Sequence, residues 1–292
     1  MTSLPKITVV TPSYNQGAFL EQTILSVLGQ LYENLEYIVV DGGSTDNSVE
    51  VIKRYESQLA YWVSEKDRGQ AEALNKGFAR ATGDILCWLN SDDFLLPGAL
   101  HEVAKNFQEP VDLIYGNCLS FSDKGTRSIV NRPPAHDREL LAFVDYIVQP
   151  SSFWRRSLWE KTGQLNEELH YAFDWEWFLR ADLLGAVRKA DFIFSAYRFH
   201  DSHKSSHGGE KRAHEIVGVA KSHGGESAAR HYEFALGHID NLKKFEQLAL
   251  RLKGRGLRPH LQLARWATPA LWSLPSGIEF EKLRQCTNML KL

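Results

Sequence analysis

The first ninety residues alternate between two hydrophobic periods, and that alternation constrains the fold more than any other feature. Lys6–Thr11 (KITVVT) is a β-branched run with the character of a buried strand. The turn PSYNQG follows. Phe19, Ile24, Leu25, Val27 and Leu28 then recur at the spacing of an apolar helix face. Leu35–Asp41 (LEYIVVD) reads as a second strand, ended by GGSTD, where Ser44 or Thr45 can cap a helix carrying Val49, Val51 and Ile52. Tyr61–Ser64 reads as a short third strand, residues 70–81 as a helix stopped by Gly83, and Ile85–Leu89 as a fourth strand. Repeated strand-then-helix units predict an α/β fold: a mostly parallel central sheet flanked by helices. Ligands gather at the carboxyl ends of such strands. The informative loops are therefore TPSYN, DGGSTD, SEKDRG and NSDD.

Beyond residue 97 the pattern loosens. Asp112–Asn117 (DLIYGN) reads as a strand, residues 150–162 pass into a helix, residues 174–185 (DWEWFLRADLLG) form another, and Val187–Phe199 has strand character. Between Asp201 and Gly209 (DSHKSSHGG) the chain turns polar. A boundary there divides residues 1–208 from a helical C-terminal extension, 209–292. With 292 residues, 43% of them hydrophobic and 24% charged, the chain can bury a large core. A net charge of −2 gives no reason to expect a nucleic-acid partner. Cys87, Cys118 and Cys286 form no CxxC pair, which fits plain thiols in a reducing compartment. The N-terminus lacks the basic flank and long apolar run of a secretory signal, and no stretch is apolar enough to span a bilayer. The expected location is the cytoplasm.

The apolar run Ile85–Leu89 ends in Asn90-Ser91-Asp92-Asp93. Adjacent carboxylates repel each other. At a ligand-facing strand end they suit one task, gripping a hard divalent cation that also holds a diphosphate. A solvated turn or a helix cap would use the same residues. Asp41 ends the second strand against Gly42-Gly43, where a carboxylate can accept a base N–H and the glycines allow close approach; Asp-Gly-Gly is also a strong turn signal. The loop is neither a GxGxxG fingerprint nor a P-loop.

TPSYNQGAFLEQTILSVLGQ, EYIVVDGGSTDNS, DRGQAEALNKGFARATGD and LNSDD, in this order and spacing, resemble the inverting glycosyltransferases of family 2 with their GT-A fold. The likeness covers roughly residues 1–200, with a nucleotide-sugar half about 1–95 and an acceptor half about 96–208. It implies a nucleotide-diphosphate sugar donor, UDP-linked in most relatives, a divalent metal (Mn2+ or Mg2+), and a saccharide or lipid-linked saccharide acceptor in polysaccharide or glycoconjugate synthesis. By position it implies Pro12 and Tyr14 beside the nucleobase, Asp41 on the base, and Arg68, Gly69 and Asn75 in the donor segment, with Asp67 near the base or phosphates. Asp93 is implied as the metal ligand, Asp92 as facing ribose or metal, and His200 as completing the metal site. Asp174 takes the place of the catalytic base at the start of a helix. Trp175, Glu176 and Arg180 lie on the acceptor side. Many relatives carry an acid where this chain has Asn90, so Ser91-Asp92-Asp93 is the working motif, with one charge fewer.

Two rivals stand beside this reading. One is a nucleotidyltransferase, which would more naturally carry a Gly-rich basic loop after the first strand. The other is a non-catalytic nucleotide-sugar-binding protein, for which Asn90 is the support. His200, His203 and His207 have loose zinc spacing but no cysteine or acidic partner at structural-zinc spacing. In the tail, Lys243, Lys244, Arg251, Lys253, Arg255, Arg258 and Arg265 are interleaved with Leu, Phe and Trp. That pattern fits either peripheral contact with an anionic membrane or a solvated helical face, and Gly254 and Gly256 interrupt any long helix.

Overall fold

A computed structural model describes residues 4–107, 110–122, 125, 128–200, 204, 208–254, 264, 268, 271 and 274–290. The chain divides into two compact units. The first comprises Met1–Asp137 and Tyr146–His203, the second Arg138–Asp145 and Lys204–Leu292.

The first unit is built on a nine-stranded sheet. Its first half follows the early alternation: β1 (Ile7–Ser13), α1 (Gly17–Leu28), β2 (Leu35–Asp41), α2 (Ser48–Tyr55), β3 (Tyr61–Ser64), α3 (Gln70–Phe78) and β4 (Ile85–Trp88). These four strands lie in the order β3-β2-β1-β4, every neighbour parallel. All seven residues of β1 are buried, as a strand covered on both faces requires. On α1, Leu20, Ile24 and Val27 turn inward and join Val9, Val39, Val51 and Ile52 in one apolar cluster. The second half is mixed. It adds β5 (Phe94–Leu95), α4 (Ala99–Asn106), β6 (Leu113–Ser122), β7 (Ser128–Asn131), β8 (Ser152–Arg155), α6 (Arg156–Thr162), α7 (Phe173–Asp182) and β9 (Val187–Phe199). β8 runs antiparallel between β4 and β6, β6 and β9 are parallel, and β5 and β7 pair antiparallel at β9 and β6.

Three local expectations change. Neither Ser44 nor Thr45 caps α2. Ser44 turns to Asp41, the Thr45 N–H goes to Asn15 Oδ1, and Asp46 accepts the Ser48 N–H at 2.9 Å. α3 ends at Phe78 rather than 81, because Arg80 and Ala81 close tighter turns onto Gly77 and Phe78. Residues 152–155 are a strand before the helix begins, since Ser152, Phe153 and Trp154 are buried between β4 and β6.

One face of the sheet carries an aromatic cluster. Trp154 lies 5.3 Å from Trp88 and 4.8 Å from Trp177, and Phe78 lies 4.4 Å from Trp159. These rings fix α7 against α3 and β4, and so place the first turn of α7. At the amino ends of the strands, Glu36 accepts from Thr8 Oγ1 (2.6 Å), the Thr82 N–H (2.7 Å) and Thr82 Oγ1 (2.6 Å), and pairs with Lys6 at 2.8 Å. Burial alone would raise the Glu36 carboxyl. The Lys6, Thr8 and Thr82 donors outweigh it and hold it at about 2, below its ordinary 4.5. A lowered carboxylate stabilises the fold above its unfolded value, and that share is lost as pH falls through the folded value. Glu36→Gln is therefore expected to destabilise the protein by about 2 kcal/mol at pH 7. The gap should close as pH falls from about 4.5 toward 2. Melting curves of both proteins across that range check it.

The second unit is helical. It holds α5 (Arg138–Leu141), α8 (Gly209–His223), α9 (Gly225–Gly237), α10 (Ile239–Gly254) and the helix Phe280–Leu290. Tyr232 donates to the Phe143 carbonyl at 2.7 Å, and Arg284 pairs with Glu246 at 2.8 Å. α10 buries Leu242, Phe245 and Ala249 and exposes Lys244, Arg251, Lys253 and Leu250. Arg255, Arg258 and Arg265 lie outside the described residues. Among the described residues no helix is long and apolar enough to cross a membrane.

Candidate active site

The acids singled out in the sequence collect at the carboxyl edge of the parallel strands. Asp41 ends β2 and is fully buried. Its Oδ2 accepts from the Gly43 N–H (3.2 Å), the Ser44 N–H (2.9 Å) and Ser64 Oγ (2.7 Å), and its Oδ1 from Ser44 Oγ (2.5 Å). Beside it, a Cβ on Gly42 would sit 2.6 Å from Asp67 Oδ2, so a side chain there would drive Asp67 away. Asp67 in turn accepts the Gly69 N–H at 3.0 Å. Gly69 has φ 146°, and a Cβ on it would meet the His170 ring at 3.3 Å; both facts favour glycine. Pro12 is buried in β1 opposite Val40, while Tyr14 on the following loop is 59% exposed.

The turn after β4 separates its two carboxylates. Thr23 of α1 donates to the carbonyls of both Ser91 (2.9 Å) and Asp93 (2.7 Å), and the Asp93 N–H closes onto Asn90 O at 3.1 Å. Asp93 is 1% exposed; its Oδ1 accepts the Arg198 N–H at 3.0 Å, and the Asn90 side chain acts on the same carboxylate. Burial first, and then the charge of Asp92, raise the Asp93 carboxyl well above the usual range. Asp92 meets His200 Nε2 through Oδ2 at 3.0 Å. The His200 and Asp92 side chains are 5% and 17% exposed, and Asp93, more deeply buried, is tied to β9. His203 and His207 lie outside the described residues. Among the described residues no group of three or more His, Cys, Asp and Glu side chains converges as metal ligands.

Arg198, missed in the sequence, holds this arrangement together. Its Nε donates to the Asp92 carbonyl at 2.9 Å, and its Nη2 to Gln22 Oε1. Its guanidinium lies 5.0 Å from the ring centres of both Phe19 and Phe121. Position alone, between Tyr197 and His200 in YRFH, was the available signal.

Asp174 lies in the first turn of α7, half-buried, with its Oδ1 on the Trp175 N–H at 2.8 Å. Burial raises the Tyr197 hydroxyl, and the charges of Asp93, Asp92 and Asp174 raise it further. Three carboxylates therefore act on one hydroxyl.

Other expected site residues are engaged elsewhere. Trp175 is 1% exposed and Trp177 is buried, so neither offers a face to a sugar. Glu176 and Arg180 form a two-pronged pair (2.7 and 2.8 Å), and Arg180 reaches on to the carbonyls of Thr162 and Gln164. That makes them a clamp on the loop before α7. Asn75 donates to the Leu165 carbonyl (3.0 Å) and Glu167 (2.9 Å) and accepts the Leu165 N–H (3.0 Å), which ties α3 to the same loop. Arg68, largely exposed, is paired with Glu72 at 2.7 Å and with Glu167.

A parallel half-sheet joined to a mixed half, with acids at the ends of β2 and β4 and at the start of α7, defines a GT-A glycosyltransferase fold. Residues 8–182 match the family model for glycosyl transferase family 2, and the chain belongs to that family. An uncharacterized glycosyltransferase of Mycobacterium tuberculosis is 35% identical over 190 residues, covering 63% of this chain and 71% of that protein. The YwdF glycosyltransferase of Bacillus subtilis, also uncharacterized, is 29% identical over 79% of this chain and 89% of its own. Among solved structures, S. aureus TarS 1–349 in complex with UDP-GlcNAc superposes with a TM-score of 0.66 at 16% identity, over 98% of this chain and 89% of that one. The mannosyltransferase PcManGT of Pyrobaculum calidifontis, in complex with GDP-Man and Mn2+, gives 0.62 at 19% identity, over 99% and 86%. At these identities the structural likeness speaks for the fold.

Proposed function

We propose that this glycosyltransferase moves a sugar, with inversion, from a UDP-sugar to an acceptor hydroxyl during polysaccharide or glycoconjugate assembly. The observation that carries the reading is the Asp92–His200 pair at 3.0 Å after β4, with Asp174 in the first turn of α7. One end suits a diphosphate and the other an acceptor. The nucleotide-sugar complexes of the two structural relatives support a donor of that class.

Asp92 would hold Mn2+ or Mg2+ through its carboxylate oxygens, the donors such cations prefer, with His200 Nε2 beside it. The chemistry such a cation would supply is positive charge for the departing diphosphate. Asp174 takes the proton from the acceptor hydroxyl as that oxygen attacks the anomeric carbon, and the bond to the diphosphate breaks on the opposite face. Asp41 receives the base. Ser44 Oγ, the donor on Oδ1, can rotate away for a base N–H, while the backbone donors on Oδ2 keep the carboxylate in place.

The test is nucleotide release from UDP-, GDP-, dTDP- and CDP-sugars, with Mn2+ and with EDTA. Release from a UDP-sugar with Mn2+, lost in EDTA, is expected. Release from none of these donors in either condition contradicts the reading.

A further inference from the structure

Asn90 sits in a directed chain of side-chain amides. The last β4–β8 partners are Leu86 and Trp154, so the Trp88 carbonyl lies past the ladder. Gln149, a buried residue, donates its Nε2 to that carbonyl at 2.8 Å. A carbonyl can only accept, so Gln149 must aim its NH2 at Trp88 and its oxygen at Asn90. Asn90 must then aim its NH2 at Gln149 (3.3 Å) and its oxygen at Gln70, whose Nε2 donates at 2.7 Å. One backbone acceptor fixes the direction of every bond in the chain.

A carboxylate at position 90 would break this order. It could accept from Gln70, but it has no proton for Gln149. To serve it, Gln149 would rotate and turn its oxygen on the Trp88 carbonyl, leaving a buried acceptor unpaired. It would also add a third negative charge beside Asp92 and Asp93.

The chain joins three segments that meet nowhere in sequence. Gln70 is the first residue of α3, Asn90 opens the turn that closes through the Asp93 N–H, and Gln149 opens the turn leading into β8. We infer that Asn90 is a positioning residue: the neutral relay Gln70–Asn90–Gln149 sets the turn that aims Asp92 at a nucleoside diphosphate, and an amide is required at its centre. The inference rests on the donor-site reading above. It also removes the support that Asn90 lends to a non-catalytic binder, because Asn90 has a task of its own.

The test compares wild type, Asn90→Asp and Gln149→Glu by UDP titration with Mn2+, donor KM and kcat, and melting temperature. The second of these variants keeps the size of the side chain and the acceptor for Asn90 but has no proton for the Trp88 carbonyl. Both variants are expected to weaken UDP binding about tenfold and to raise donor KM by a similar factor, with a smaller change in kcat. Asn90→Asp that binds UDP as tightly as wild type overturns the relay. So do variants that melt earlier with UDP affinity and KM unchanged. If Asn90→Asp does not fold, Gln149→Glu decides alone. A wild type that binds no nucleoside diphosphate overturns the donor-site reading itself and the relay with it, and is told apart because the unaltered protein fails.

Discussion

Asp174→Asn should lower transfer about a thousandfold, within the 10²–10⁴ that a general base contributes. UDP affinity should stay within about twofold, because the residue lies on α7 and not on the Asp41 or Asp92 turns. The exchange keeps size and hydrogen-bonding shape but removes the group that takes the acceptor proton. The Trp175 N–H can still find an oxygen at position 174, so the first turn of α7 survives. The packing of Trp154 against Trp177 is untouched, and melting temperature should hardly move. Steady-state rates together with UDP titration check this. Loss of UDP binding in parallel with transfer would move Asp174 to the donor side.

Asp92→Ala should have an effect of similar size by a different route. It removes the carboxylate facing His200 and leaves Asp93 in place beneath it. Transfer should fall by about a hundred- to a thousandfold, the scale of one lost stabiliser of developing charge. Donor binding in Mn2+ should weaken as well, which separates this variant from Asp174→Asn. The fold should hold, since the Asp92 contact with Arg198 Nε is made by its backbone carbonyl.

Strands whose apolar and aromatic residues stand between turn signals were legible in the sequence. β2, β3 and β9 occupy Leu35–Asp41, Tyr61–Ser64 and Val187–Phe199, the segments their residues mark out. β8 was not legible, because SFWR becomes a strand only when β4 and β6 flank it, and that is a tertiary condition. The acids at the strand ends could be found by position. Which of Asp92 and Asp93 is the more deeply buried could not, since the Thr23 hydroxyl, 68 and 70 residues away, and the Arg198 N–H, 105 away, set that difference. The same limit applies to Asn75. Its place in α3 is readable, but its three hydrogen bonds to Leu165 and Glu167 depend on a loop 90 residues on. Glu176 and Arg180, expected on the acceptor side, carry the i,i+4 spacing of the ion pair they form.

Calorimetric titration of UDP into the wild-type protein, with Mn2+ and then with EDTA, tests the donor site most directly. The account predicts saturable binding in Mn2+, weakened at least about tenfold by EDTA, with little difference between the two conditions in Asp92→Ala. UDP binding of equal strength in Mn2+ and EDTA, or a metal effect that persists without Asp92, would contradict the assignment of Asp92 and His200 as the diphosphate end of the site.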